Sequence, residues 1–318
     1  MLAIDVQHVA KSFGSTQALV DVSLAVEAGA IFGFLGPNGA GKTTTLRGLM
    51  GLTRFDSGRA RMLGLDPWRD RVELHQRVGY LPGGMGMYAR MTGRDLLDYT
   101  ASLARRPGHR PGAAARPTSG TPTSTSPMRR PALDALQLSE RDLDRPVRDY
   151  SKGMRQKLAM TSAMQHDPEL LLMDEPSEGL DPLVQHAVYE LLRARAAAGR
   201  TILFSSHTLS EVEALCDRVA IIRVGRLVIE ASLDELRAQR PRIVRVAVSD
   251  TATLAHLDER FRRQPDDHAT RAVFEVTAPP GEIVAALAPL PLTDVIIEEP
   301  SLEQIFRSYY ATPTGTEH

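Results

Sequence analysis

The sequence predicts an α/β fold centred on a mostly parallel sheet, with an antiparallel region ahead of it and a small α+β unit behind it. Three observations carry this. Residues 30–35, 170–173, 201–204 and 219–222 are almost wholly apolar, as strands buried on both faces should be. Segments of helical period at 44–52, 151–165, 184–197 and 209–215 lie between them, the alternation that builds parallel sheets. Finally, 318 residues with 42% hydrophobic and 24% charged are enough for two cores of ordinary soluble composition.

In chain order, residues 3–9 and 19–26 alternate apolar and polar at period two and are predicted as half-buried strands. The buried strand at 30–35 runs into a glycine-rich turn. Thr92 and Asp95 form a capping box ahead of Leu96, Tyr99 and Leu103, which recur at helical spacing. Residues 105–131 hold six Pro, three Gly, four Thr, three Ser and six Arg with no acid. Such a stretch cannot bury enough apolar surface to offset its ordering entropy, so it is predicted to be a disordered, solvated linker of charge +6. Beyond Glu230 the pattern becomes strand 243–248, helix 252–261, strand 271–277, helix 281–288, strand 294–298 and helix 301–310. The expected organisation is therefore a main domain over residues 1–230 and an accessory α+β domain over 231–318, the latter without a chemical motif.

Composition narrows the function. Lys plus Arg number 38 and Asp plus Glu 39, a net charge of -1, so no dominant nucleic-acid-binding surface is expected. The single cysteine, Cys216, can form neither an internal disulfide nor a thiolate metal cage. No apolar run approaches the length of a membrane span, and Met1-Leu-Ala-Ile-Asp5 lacks a secretory head. The expectation is a soluble protein of the cytoplasm.

Gly36-Pro37-Asn38-Gly39-Ala40-Gly41-Lys42-Thr43 fits G-x-x-x-x-G-K-[ST] between a predicted strand and a predicted helix, the context a phosphate loop requires. Glycines allow successive N–H groups to converge on an anion, and the helix N-terminus adds its positive end at the same point. Lys42 is one of only 4 lysines among 38 basic residues. A compact ammonium fits a backbone cradle where a planar guanidinium would not. Lys42 is the expected cation for the β and γ phosphates, Thr43 the expected hydroxyl ligand of Mg²⁺, and Thr44 continues the cradle.

Leu170-Leu-Leu-Met-Asp-Glu175 is an apolar strand ending in two carboxylates. Neighbouring strand residues point to different sides. Asp174 is thus expected to orient Mg²⁺ or its waters, and Glu175 to address the water that attacks the γ phosphate. His207, just past the strand at 201–206, is the expected γ-phosphate contact.

Together these stretches resemble the ATP-binding subunit of ABC transporters, a phosphate-loop nucleotide-hydrolase fold with an antiparallel β subdomain and an interrupted helical subdomain. Within that resemblance, Phe13 of Lys11-Ser-Phe-Gly14 is the aromatic that stacks on adenine. Tyr150-Ser-Lys-Gly-Met-Arg-Gln156 is similar to the ABC signature, with Ser151 and Gly153 offering donors to a γ phosphate held by the opposite subunit. Ser177-Glu-Gly-Leu-Asp181 resembles the D-loop, which places Asp181 at the site, and His207 the switch histidine. The resemblance implies ATP and Mg²⁺ as ligands, a head-to-tail homodimer or paired ATPase, a separate transmembrane permease, and a place on the cytoplasmic face of the membrane. Two departures stand out. Lys152 and Met154 interrupt the usual Leu-Ser-Gly-Gly-Gln signature, and Gly83-Gly84 follows Val78-Gly-Tyr-Leu-Pro82 where the family commonly has glutamine or an acid. The appended domain, with Pro300-Ser-Leu-Glu-Gln-Ile-Phe306, is similar to subunits of ABC-2-type exporters of drugs and antibiotics. The alternative is an ABC-type ATP switch without a permease. A ribosomal or DNA-repair ATPase is disfavoured, because the chain has one cassette and no sustained heptads.

Overall fold

A computed structural model of the chain describes residues 1–84, 89–104, 126–238, 241–249, 260–264 and 271–299. It divides into two compact units, Met1–Glu230 and Ala231–His318.

The main sheet has nine strands: β1 (Leu2–Phe13), β2 (Thr16–Glu27), β3 (Ile31–Leu35), β4 (Ser57–Met62), β5 (Val78–Leu81), β6 (Leu170–Asp174), β7 (Thr201–Ser206), β8 (Arg218–Arg223) and β9 (Arg226–Ser232). Their order is β4-β1-β2-β9-β8-β3-β7-β6-β5. β1 pairs antiparallel with β2 and β4, while β3 pairs parallel with β7 and β8, and β6 parallel with β5 and β7. β3, β6 and β7 are buried along their whole length, which is why they are apolar on both faces. Phe32, Phe34 and Phe204 are among the largest fully buried side chains. Each contributes about 1.5–3 kcal/mol by leaving water.

The helices of this unit are α1 (Lys42–Leu49), α2 (Arg71–Arg77), α3 (Gly93–Leu103), α4 (Arg129–Ala135), α5 (Glu140–Leu143), α6 (Lys152–Met164), α7 (Pro182–Ala197) and α8 (Leu209–Leu215). α6 and α8 approach the sheet over glycines. A Cβ on Gly79 would lie 2.2 Å from the Ala163 carbonyl, and one on Gly33 would lie 2.9 Å from Cys216 Sγ. α3, α4, α5 and the start of α6 make a separate core of Leu96, Leu97, Leu133, Leu138, Leu143, Val147, Tyr150 and Leu158. The Thr92–Asp95 capping box is formed in both directions. Fully buried Gln165 joins the pieces: it donates to the Leu97 carbonyl at 2.9 Å and accepts from Arg129 Nε at 2.9 Å.

Several elements differ from expectation. α1 starts at Lys42 and stops at Leu49, because Gly51 turns the chain at φ 64. Short strands β4, β5 and β9 were not predicted: β4 is mostly polar and exposed, β4 and β5 form the two edges of the sheet, and β9 is only partly buried. Of the stretch predicted as a linker, 105–125 lies outside the described residues, whereas 126–131 leads into and begins α4. Met128 is 7% exposed and Arg129 pairs with Asp98 at 2.6 Å, so this end of the stretch is held by apolar burial and an ion pair despite its composition.

The second unit contains α9 (Leu233–Ala238), β10 (Arg242–Val248), β11 (Phe261–Gln264), β12 (Arg271–Val276), α10 (Pro280–Leu287) and β13 (Leu292–Glu298). Its sheet has the order β11-β12-β10-β13 and every pairing is antiparallel. Val244, Val246, Phe274, Ile283 and Leu287 form its core. Phe261, expected at a helix end, starts β11 and stacks edge-on against Phe274 with centroids 5.7 Å apart. Most of the helix expected over 252–261, all of that over 301–310, and the Pro300–Phe306 stretch lie outside the described residues.

Candidate functional site

The parallel strands β3, β6 and β7 lie side by side and deliver three loops to one edge of the sheet, the place where ligands bind in open α/β folds. The loop after β3 is Gly36–Gly41, leading directly into α1. Gly39 and Gly41 have φ of 81 and 112, backbone that side-chain-bearing residues resist, and a Cβ on Gly41 would stand 2.7 Å from Leu19 Cδ2. Pro37, Asn38 and Gly39 are exposed, while Ala40 is buried and Thr43 and Thr44 are half-buried.

Lys42 is 5% exposed. Its Nζ donates to the Gly36 carbonyl at 2.6 Å and the Pro37 carbonyl at 3.4 Å, and stands 3.3 Å from Glu175 Oε1. A buried ammonium needs such partners, since an isolated one would lose its proton. Asp174, 2% exposed, ends β6 and accepts from Thr43 Oγ1 at 2.7 Å and from Ser205 Oγ at 2.5 Å. Glu175 turns the other way. Its Oε2 meets His207 Nδ1 at 2.7 Å, and its N–H donates to both the carbonyl and the hydroxyl of Ser205 at 3.2 Å. Glu175 Oε1 is buried without a hydrogen bond, and Glu175 itself has φ 53.

The residues present fit a magnesium–triphosphate. A loop with Gly39 and Gly41 in left-handed backbone, the start of α1 and the buried Lys42 ammonium follow one another directly in the chain, the parts from which a polyanion cradle is made. Magnesium is usually held by one or two protein oxygens and completes its shell with phosphate and water. Thr43 Oγ1 and Asp174 Oδ2, 2.7 Å apart, are the oxygens that would hold it. Among the described residues no group of three or more His, Cys, Asp and Glu makes an all-protein cage. Gly83 lies beside this pair, where a Cβ would be 2.9 Å from Asp174 Oδ2.

Other candidates form a second group. Ser151 caps α6, accepting from the Met154 N–H at 3.1 Å, and Gly153 packs so tightly on the loop after β6 that a Cβ would lie 2.7 Å from the Gly179 carbonyl. Asp181 caps α7, accepting from Val184 N–H at 3.1 Å. Lys152, one departure from the signature, pairs with Glu178 at 2.5 Å. No hydrogen bond or ion pair among the described residues joins Ser151 or Gly153 to the phosphate loop of their own chain. Tyr150, which opens this segment, is buried, and burial pushes its phenol up to about 12. Phe13 is half-exposed at the tip of the β1–β2 hairpin, with Lys11 Nζ 5.4 Å from its ring centre. Ala18 and Leu19 of the returning strand line Gly41, so hairpin and phosphate loop are neighbours.

Sequence reasoning missed three polar residues here. Ser205 holds both Asp174 and Glu175. Gln156 Nε2 donates to the carbonyls of Glu175 at 3.2 Å and Pro176 at 3.1 Å. Glu211 accepts from Ser177 Oγ and, at 2.7 Å, from Ser206 Oγ. The signal for the serines was two hydroxyls closing an apolar strand, both fully buried. Gln156 and Glu211 were not singled out, because their partners Glu175, Pro176 and Ser177 lie 19 to 34 positions away. Cys216 takes no part: burial pushes its thiol well up, which leaves it unreactive.

This combination of loop, paired acids and parallel sheet defines a phosphate-loop nucleoside triphosphatase. The sequence pattern of the ABC transporter family matches residues 19–178. The chain belongs to that family. An uncharacterized ABC transporter ATP-binding protein of Nostoc sp. is 43% identical over 69% of this chain and 61% of its own length. Nod factor export ATP-binding protein I of Ralstonia nicotianae is 34% identical over 73% of this chain and 68% of its own length. The chain thus spans less than two thirds of the Nostoc relative. Among solved structures, the ATP binding subunit of an ABC transporter superposes with a TM-score of 0.64 at 29% identity, over 74% of this chain and 92% of that one.

Proposed function

We propose that this chain is the ATP-hydrolysing subunit of an ABC exporter: it closes head to tail with a second copy or a paired cassette on Mg·ATP and powers a separate membrane permease from the cytoplasmic face. The observation that carries this reading is the contact of buried Lys42 with Glu175 at 3.3 Å, beside the Thr43–Asp174 pair at 2.7 Å. Gly36–Thr44 wrap the phosphates and Lys42 neutralises the β and γ oxygens. Phe13 stacks on adenine. Bound Mg²⁺, held through Thr43 and Asp174, supplies charge neutralisation at the phosphates. Glu175 orients the attacking water and accepts its proton, and His207 holds the carboxylate's other oxygen and contacts the γ phosphate.

Ser151, Gly153 and Asp181 serve the nucleotide of the opposite cassette. Ser151 is exposed at a helix start with no partner in its own phosphate loop among the described residues, which suits a donor used in trans. Export is supported by the similarity to the Ralstonia relative, a Nod factor export ATP-binding protein. No described helix is long and apolar enough to cross a membrane.

Glu175→Gln tests the reading. The variant binds ATP with near-native affinity, turns it over about a hundredfold or more slowly, and accumulates as a dimer in size-exclusion chromatography with ATP. Retained turnover, or a monomer under those conditions, would reject it. Gly83, which offers no side chain toward Asp174, favours a second reading, an ATP switch without a permease. Co-purification of a hydrophobic membrane protein with the chain decides between the two.

A further inference from the structure

Glu175 is a non-glycine residue at φ 53, a left-handed conformation in which its Cβ crowds the backbone. Such strain persists only where the surroundings over-determine it. On the N-terminal side the peptide is held by Ser205, which takes the Glu175 N–H on its carbonyl and hydroxyl. On the C-terminal side the holder is Gln156. Its Nε2 bridges the carbonyls of Glu175 and Pro176, at 3.2 and 3.1 Å. A primary amide carries two N–H donors on one nitrogen, so a single glutamine can serve two successive carbonyls.

We propose that Gln156 is a positioning residue for Glu175, fixing the strained peptide so that the carboxylate faces Lys42 and His207. The inference rests on the hydrolytic reading of Glu175 given above. Gln156 lies on α6, the helix that Ser151 caps. A movement of the α6 start therefore reaches the backbone of the hydrolytic carboxylate through one side-chain amide. Lys152–Glu178 at 2.5 Å and the packing of Gly153 on Gly179 tie the same helix to the loop that follows. In a head-to-tail pair, α6 of one chain touches the nucleotide of the other. Gln156 then makes each chain's own water-activating group sensitive to whether the opposite site is filled.

The test uses the purified full chain and compares Gln156→Leu, similar in size but without donors, in the native and Glu175→Gln backgrounds. In the native background kcat falls about ten- to a hundredfold, the scale of a misplaced catalytic group, while KM for ATP moves less than about twofold. In the Glu175→Gln background the same substitution costs no further turnover, because it acts only through that carboxylate. A rise in KM at unchanged kcat, or losses that multiply, would overturn the proposal. Should Gln156→Leu not fold, Gln156→Glu probes the same point. Its activity relative to the native chain rises as pH falls from about 7 to about 5, toward the ordinary carboxyl range, since a protonated carboxyl donates one of the lost bonds. A flat ratio overturns the proposal. Failure of the underlying reading looks different: Glu175→Gln alone then retains native turnover.

Discussion

Strands β5, β6 and β7 lie side by side, and the polar side chains at the two ends of this layer are arranged on opposite plans. At the N-terminal ends every carboxylate faces a guanidinium. Arg77 grips Glu169 with two bonds of 2.8 Å, and Asp167 accepts from Arg195 at 2.7 Å and Arg200 at 2.6 Å. These bonds raise the pKa of Arg77 and Arg200 further. At the C-terminal ends of β6 and β7, Asp174 accepts from the hydroxyls of Thr43 and Ser205, Glu175 meets the buried ammonium of Lys42 at 3.3 Å, and Glu175 Oε1 has no hydrogen bond. The first network is closed in that both oxygens of Glu169 and of Asp167 are bonded to guanidinium groups. The second is open in that Glu175 Oε1 has no hydrogen bond and stands beside a buried ammonium, an arrangement a site for a metal–polyanion complex can use.

This contrast can be broken from either end. The largest expected effect is on the open network. Lys42→Ala removes a charge worth about 4 kcal/mol gross against a phosphate, so ATP affinity falls up to about a thousandfold while the thermal midpoint barely moves. Isothermal titration with ATP and a thermal melt check both halves. The closed network should respond in reverse. Asp167→Asn, which tolerates the native φ of 55, costs about 1–3 kcal/mol in urea unfolding and leaves ATP turnover per folded molecule unchanged. A stable Asp167→Asn protein with impaired turnover would erase the distinction between the two ends.

The smallest effect sharpens the comparison through pH. His166, next to Asp167, is lowered from 6.5 chiefly by burial, and its Nε2 has no hydrogen bond. The unfolded chain therefore takes up this proton first. The contribution to stability is complete above about pH 6.5 and is lost as pH falls toward the folded value. The difference in thermal midpoint between about pH 7.5 and about pH 5.5 shrinks in His166→Gln. An unchanged difference would assign the acid sensitivity elsewhere.

Legibility in the sequence followed the same physics. Gly36–Thr43 was readable because a phosphate cradle needs glycines, a lysine and a hydroxyl at fixed local spacing, all within one turn and one helix start. β3, β6 and β7 were readable because burial on both faces leaves an unbroken apolar run. β4, largely exposed, and β5, only four residues long, left no comparable pattern. Met128–Arg130 escaped because composition averaged over a long stretch hides a few residues that pack well.

Local chemistry thus settled which residues meet phosphate, which strands are central, and that Asp174 and Glu175 stand together at a strand end. The fold alone decided their partners: Asp174 with Thr43, 131 positions away, Glu175 with His207, 32 away, and Gln156 beneath the Glu175 carbonyl. A spacing rule can encode what a helix turn or a strand end imposes on its own neighbours. It cannot encode which loops a nine-stranded sheet brings to one edge, because that depends on strand order, and strand order is chosen by the burial of the whole core.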